Sequence, residues 1–183
     1  MTVFVRVETR RRTHWPWATL AITLGCLGTF LALTLMPEYA RLRVLTRWGA
    51  VPTELLGFSG WSWDALRMAR PETLLTALFM HADWLHLTGN LAFLLIFGLS
   101  AERMLGSRRF LTLFLVCGAL ANLAGAFTLD ASSAPIVGAS GAVSAIVGAY
   151  LALFPRARLG LVLPLGLFLE FVVFLHLYER DHL

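Results

Sequence analysis

Two strings of polar residues interrupt apolar stretches of this chain and could together do chemistry. His81, His86 and Asn90 lie in HADWLHLTGN, and Ser140 lies in GASG. His86 and Asn90 are four residues apart, so on a helix they share a face one turn from each other. Hydrogen-bond donors beside a serine hydroxyl, in surroundings of low dielectric constant, suit a nucleophile with an oxyanion site.

The same residues have simpler explanations. A serine in a membrane helix commonly serves helix packing, and a His86–Asn90 pair can be hydrogen-bonded between helices. Zinc is a weak alternative, because His81 and His86 are five apart, on different helix faces, and no thiolate is near. The serine string also lacks the preceding strand that the G-x-S-x-G elbow of soluble hydrolases requires. Gly138 and Gly141 would allow a substrate backbone to approach closely.

The composition indicates an all-α membrane protein. Of the 183 residues, 58% are hydrophobic and 14% are charged, against about 45–50% and about 25% in soluble domains. This excludes a water-soluble monomer and a disordered chain. Cys26 and Cys117 are too few for a disulfide framework or a multi-cysteine metal site. No basic stripe is interleaved with exposed aromatic residues, so we expect a lipid bilayer and no nucleic acid as partner.

Four apolar stretches are predicted to cross the membrane as helices. The first runs for twenty residues without a charge, which spans a hydrocarbon core of about 30 Å. A further apolar run, Leu159–Tyr178, contains Glu170 near its middle. A central carboxylate costs at least about 2.5 kcal/mol on insertion, which leaves open whether this run is a fifth span. The four predicted spans are Trp17–Met36, Trp84–Ser100, Phe110–Leu129 and Ala134–Phe154.

Arginine placement predicts the orientation. If four spans alternate, the arginines near their ends fall on one side, and short arginine-rich loops stay cytoplasmic. Residues 1–16 are therefore expected to be a cytoplasmic N-terminal segment, with a transmembrane domain over 17–183. The loop Pro37–Met80 would lie outside and carry short structure of its own. The arginines in question are Arg6, Arg10, Arg11, Arg12, Arg103, Arg108, Arg109, Arg156 and Arg158.

Equal depth is the argument that joins the two polar strings. Asn90 lies six residues past Trp84, and Ser140 lies six residues past Ala134. On two helices that both run inward, each position is about 9 Å deep. The sequence therefore predicts one layer near the outer face that holds the serine and the donor pair. Small residues that would let the helices approach closely are Gly118, Asn122 and Gly125 on the third span and Gly141, Ala145, Gly148 and Ala149 on the fourth.

Taken together, these strings resemble the rhomboid family of intramembrane serine proteases. The resemblance runs from Pro71 to Arg158 through HADWLHLTGN, GLSAERMLGS, GASGAVSAIVGAY and FPRAR. It implies a rhomboid-like helical bundle that uses no cofactor and no metal, and that cuts transmembrane substrates near the outer face. It implies Ser140 as nucleophile, with His86, Asn90 and the Ser140 backbone amide as the oxyanion hole and His81 in support. Glu102 and Gly106 would match a structural turn after the second helix.

The general base departs from the family pattern. The family carries this histidine on a sixth transmembrane helix, in a context such as A-H-x-x-G, and nothing in this sequence matches it. A shortened reading frame, incomplete at its C-terminus and with the sixth helix absent, is the expected explanation. His176 could serve only if Leu159–Tyr178 spans the membrane. A serine nucleophile needs such a base, so the activity of this chain is an open expectation.

Two other functions remain as alternatives. The first is a non-catalytic rhomboid-like protein that binds transmembrane clients. The second is a small channel or transporter subunit, which would require polar residues along a path across several helices. Apart from Asn122, the polar residues stay in the outer layer, which disfavours the channel.

Overall fold

The computed structural model describes residues 15–56, 69–129 and 132–155, and this part of the chain is helical. Its extended pairing is limited to a single bridge between Ala50 and Ile136. The helices are α1 (Trp17–Thr34), α2 (Glu38–Trp48), α3 (Pro52–Leu56), α4 (Thr73–Thr76), α5 (Trp84–Leu105), α6 (Ser107–Thr128) and α7 (Ser140–Leu153), with a 3₁₀ turn at Ala77–Phe79 and a π-helical stretch at Leu94–Gly98 inside α5.

Three helices are long and apolar enough to cross a membrane, namely α1, α5 and α6. Leu24, Leu120 and Phe127 on these helices are each more than half exposed. Apolar side chains left uncovered over whole helix faces indicate contact with lipid. The first three predicted spans therefore have the right positions, with ends that shift by a few residues. The run Leu159–Tyr178 lies outside the described residues.

The predicted fourth span starts in the wrong place. α7 begins at Ser140 rather than Ala134 and has 14 residues, or about 21 Å of helix. The residues before it are not helical, and Ile136 among them is paired with Ala50 by two backbone hydrogen bonds of 3.0 and 2.9 Å. Gly138 has φ +118, which ends any helix there, and its N–H donates to the Ala77 carbonyl at 2.9 Å. Irregular backbone is tolerated within a membrane protein only where it is satisfied in this way.

The core lies where α1, α5, α6 and α7 meet. Gly141 allows the close approach of α7 to α6, because a Cβ there would lie 2.3 Å from the Cβ of Ala121. For Gly148, predicted on the same packing face, no atom of the described residues lies within 4 Å of such a Cβ. Among the described contacts, the close approach of this face to α6 is therefore made at Gly141 and not at Gly148. The large, fully buried side chains of this core include Phe30, Phe97, Phe110, Phe114, Leu87 and Ile146.

The loop between α1 and α5 carries short helices, as predicted, and it packs against the bundle. The buried side chain of Asn122 on α6 donates from Nδ2 to the Leu74 carbonyl of α4 at 2.8 Å. This hydrogen bond accounts for the polar residue within an otherwise apolar helix. Residues 57–68, which include Trp61 and Trp63, lie outside the described part.

At the other end of the bundle, a buried carboxylate caps α1. Pro16 gives this helix no side-chain cap. Glu102, on the last turns of α5, instead accepts hydrogen bonds from the backbone N–H of Ala18 at 2.9 Å and of Thr19 at 2.7 Å, and from the Thr19 hydroxyl at 2.5 Å. A negative charge at a helix N-terminus satisfies free N–H groups and complements the helix dipole. The cap therefore fixes α1 to α5.

Candidate functional site

The start of α5 is fixed by two contacts before any functional residue is placed. Asp83 is its N-cap, and Oδ1 accepts a hydrogen bond from the backbone N–H of His86 at 2.8 Å. Trp84 packs edge-on against Phe30 of α1, with ring centroids 4.6 Å apart. Capping satisfies a free donor of the first turn. His86 and Asn90 therefore lie one turn apart on a helix whose beginning is held to α1.

His81 lies against this turn and is fully buried. Its Nε2 is 3.2 Å from Nδ2 of Asn90. Since an amide nitrogen only donates, Nε2 of His81 is the acceptor, and its ring is neutral with the proton on Nδ1. Burial, with a smaller contribution from the charge of His86, lowers the pKa of His81 to about 4. The neutral ring thus orients the Asn90 amide and leaves its second N–H available.

Gly138 joins the serine string to this cluster. A Cβ built on Gly138 would lie 2.4 Å from Cε1 and 2.6 Å from Nε2 of His86, so the imidazole occupies the place of a side chain. The ring centroids of His81 and His86 are 5.1 Å apart. The structure therefore brings together His81, His86, Asn90 and Gly138.

Ser140 is the first residue of α7, two residues beyond the glycine that touches His86. Its side chain is exposed. The N–H groups of a first helical turn have no acceptor within their own helix, so they can donate to an anion. Gly141, packed on Ala121, fixes the start of α7 against α6. The arrangement offers an accessible hydroxyl, backbone donors and an imidazole–amide pair at the same end of the bundle.

The structure adds neither the candidate base nor a metal site to this cluster within the residues that it describes. His176 lies outside the described residues. Within the ranges that the structure describes, no group of three His, Cys, Asp or Glu side chains is arranged to hold a metal ion.

Sequence reasoning missed Arg41. Its guanidinium reaches from α2 to donate from Nη2 to the carbonyl of Ala82, between His81 and the capping residue Asp83. An arginine in a mixed, polar loop gives no signal that separates it from an ordinary surface charge. The contact ties the loop helix α2 to the segment that carries the histidine cluster.

Comparisons with known proteins agree on one family. Residues 68–178, more than half of the chain, match the Rhomboid domain. The chain is 36% identical over 115 residues to "RHOMBOID-like protein 12, mitochondrial" of Arabidopsis thaliana, which covers 54% of this chain and 34% of that protein. It is 36% identical over 78 residues to "Putative rhomboid protease YdcA" of Bacillus subtilis (strain 168), which covers 43% of this chain and 39% of that protein. The matches thus span little more than a third of each relative. No solved structure gives a significant match.

Proposed function

This chain belongs to the rhomboid family of integral, multi-pass membrane proteins, and from that membership we propose that it is an intramembrane serine endopeptidase of transmembrane proteins. The observation that carries the proposal is the contact of Gly138 with the His86 imidazole. It joins the segment that leads into Ser140 to the helix turn that bears the hydrogen-bond donors.

In the proposed mechanism, Oγ of Ser140 adds to the scissile carbonyl carbon of a substrate, and its proton passes to a base that is not among the described residues. Collapse of the tetrahedral intermediate breaks the peptide C–N bond, the amine leaves with that proton, and water then hydrolyses the acyl-enzyme. The oxyanion that forms accepts hydrogen bonds from the His86 ring, the Asn90 amide and the Ser140 backbone N–H. Donors positioned in surroundings of low dielectric constant strengthen as negative charge develops, and loss of one costs about 10²–10³ in rate. The hydrogen bond from Asn90 to neutral His81 supports this role, because it fixes the amide before a substrate arrives.

The membrane placement is part of the proposal. We propose α7 as the fourth crossing, with the N-terminus cytoplasmic and the histidine cluster near the outer face. The distribution of arginines supports this orientation, since Arg103, Arg108 and Arg109 lie at the opposite end of α5 and α6. Substrates would then be cut near the outer face, where water can reach an unwound helix.

A second candidate function is client binding without cleavage. Among the described residues the histidines are His81 and His86, and both are engaged on the donor side of the cluster. A serine becomes a competent nucleophile only with a base beside it. The described part of the chain by itself thus favours neither cleavage nor client binding. The reactivity of Ser140 distinguishes these two functions.

A fluorophosphonate probe tests the proposal. We expect purified protein in neutral detergent to become labelled, and Ser140→Ala to abolish the labelling. Ser144→Ala is the matched control, because Ser144 is an exposed serine one turn further along α7. Equal labelling of wild type and Ser140→Ala would remove Ser140 as the nucleophile. An unlabelled wild type that still captures transmembrane peptides would establish the binding function instead.

A further inference from the structure

A cavity opens at the end of the bundle opposite the histidine cluster. It has a volume of about 380 Å³ and lies where α1 begins and the α5–α6 turn closes. Gly106, in this turn, has φ +81, and no atom of the described ranges lies within 4 Å of a Cβ placed there. The hydroxyl of Ser107 donates to the Trp15 carbonyl at 3.3 Å, which holds the two walls together. The lining includes Trp15, Trp17, Gly106, Ser107, Arg108 and Arg109.

The charge of this cavity is positive. Arg108 and Arg109 are both exposed, and within the described ranges no carboxylate lies within 4.0 Å of either. The first turn of α6 contains no acidic residue. Glu102 lies at the same end, but it is fully buried and already accepts three hydrogen bonds from the start of α1. Within residues 15–56, 69–129 and 132–155, therefore, two guanidinium groups line the cavity with no carboxylate to neutralise them.

The aromatic lining indicates the depth of the cavity in the bilayer. Trp15 is 74% exposed and Trp17 is 45% exposed, directly before and at the start of α1. Tryptophans concentrate at the level of lipid headgroups, where one side of the indole is in apolar and the other in polar surroundings. Arginines at that level meet lipid phosphates, which a guanidinium can bind through two parallel hydrogen bonds. Position and charge thus point to the same class of ligand.

We propose that this cavity binds the phosphate headgroup of an anionic phospholipid. Arg108 and Arg109 contact the phosphate, while Trp15 and Trp17 lie beside the headgroup and the upper acyl chains. Basic pockets between transmembrane helices are known to hold anionic headgroups. The bound lipid would bridge the start of α1 and the α5–α6 turn. The proposal does not depend on the chemistry of Ser140.

Native mass spectrometry of the full chain, released from neutral detergent, tests the proposal. Protein is titrated with short-chain phosphatidylglycerol, with phosphatidylcholine of the same chain length, and with inorganic phosphate. We expect phosphatidylglycerol to bind at one site and more tightly than the other two. The double variant Arg108→Gln/Arg109→Gln should bind it about 25-fold more weakly, or about 5-fold for each arginine. Arg108→Lys/Arg109→Lys, which keeps the charge, should bind phosphatidylglycerol with an affinity between those of the wild type and the double glutamine variant.

Arg103→Gln is the matched control. Arg103 is exposed at the same end of the bundle but does not line the cavity. It should bind phosphatidylglycerol as the wild type does, and thermal melting should show that all variants are folded. Equal binding of the two lipids, an unaffected double variant, or an equal loss in Arg103→Gln would overturn the proposal. Inorganic phosphate that binds as tightly as phosphatidylglycerol would overturn the proposal of a lipid ligand and indicate a site for free phosphate.

Discussion

The imidazole of His86 occupies the position that a side chain on Gly138 would take. The two residues lie 52 positions apart in the sequence, and their contact brings the segment before α7 against the first turn of α5. Both the protease and the client-binding proposals use this junction. Because no side chain fits at Gly138 beside the His86 ring, a substitution there tests both proposals directly.

Gly138→Ala should disrupt this junction. The new Cβ would lie 2.4 Å from Cε1 of His86, at a backbone with φ +118 that alanine rarely adopts. We expect His86 to be displaced and fluorophosphonate labelling of Ser140 to fall by about 100-fold or more, as for loss of an oxyanion donor. Gly148→Ala, where no atom of the described residues lies within 4 Å of the new Cβ, should be labelled normally. Labelling of Gly138→Ala at the wild-type rate would show that His86 is not needed in this position.

Acid should destabilise the protein through His81. Its pKa is 6.5 in the unfolded chain and about 4 in the fold, because burial disfavours the charged ring. Between these values the unfolded state binds more protons, so the free energy of unfolding decreases as the pH falls from 6.5 towards 4. The loss should reach at most about 3 kcal/mol. Melting temperatures in detergent from pH 8 to pH 4 measure it.

His81→Gln supplies the comparison for that titration. The variant should lose the part of the decrease between pH 6.5 and pH 4 that His81 contributes, while its melting temperature at pH 8 reports the cost of the substitution itself. A wild type whose stability is constant across this range would contradict a buried, neutral His81. Protonation would also oblige Nε2 to donate, so the Asn90 amide would have to turn its oxygen towards the ring.

Glu102→Gln should weaken the attachment of α1. The carboxylate accepts three hydrogen bonds from Ala18 and Thr19, and an amide offers one oxygen and no charge in its place. A hydrogen bond to a charged group contributes about 1.5–3 kcal/mol, so we expect a loss of that order in the free energy of unfolding. Glu38→Gln, an exposed acid in the first turn of α2, should cost less than about 1 kcal/mol. Equal melting of the two variants would argue against the cap.

Arg41→Met should release α2 from the histidine segment. Arg41 donates to the Ala82 carbonyl, whereas Arg43, on the same helix, is exposed. We expect faster proteolysis within residues 37–56 and a loss of about 1 kcal/mol for Arg41→Met, since a partly buried carbonyl would lose its partner. Arg43→Met should behave as wild type, and Arg41→Lys should recover part of the loss. Identical proteolysis of the two methionine variants would exclude this attachment.

The sequence could predict the elements that depend on local composition. Unbroken apolar runs place α1, α5 and α6, because a helix must satisfy its own backbone in lipid. The start of α7 could not be predicted in the same way. Residues 134–139 are apolar enough for a helix, but the bridge from Ile136 to Ala50 and the positive φ of Gly138 keep them out of a helix.

The candidate site was predictable as a set of residues but not as a geometry. The predicted depth of Ser140 assumed a helix from Ala134 onward, and that premise was wrong because residues 134–139 are not helical. The contact of Gly138 with His86 joins distant segments and leaves no periodic signal in either. Arg41 and the partners of Glu102 escape sequence reasoning for the same reason, because each pairs across more than 40 residues.

The cap on α1 also has a consequence for biogenesis. Ala18 and Thr19 are synthesised long before Glu102, which follows Thr19 by 83 residues. Until α5 arrives, water or lipid headgroups must solvate the first turn of the nascent α1. The start of α1 can therefore dock only after α5 has been synthesised. Co-translational assembly of this bundle cannot proceed strictly from the N-terminus onward.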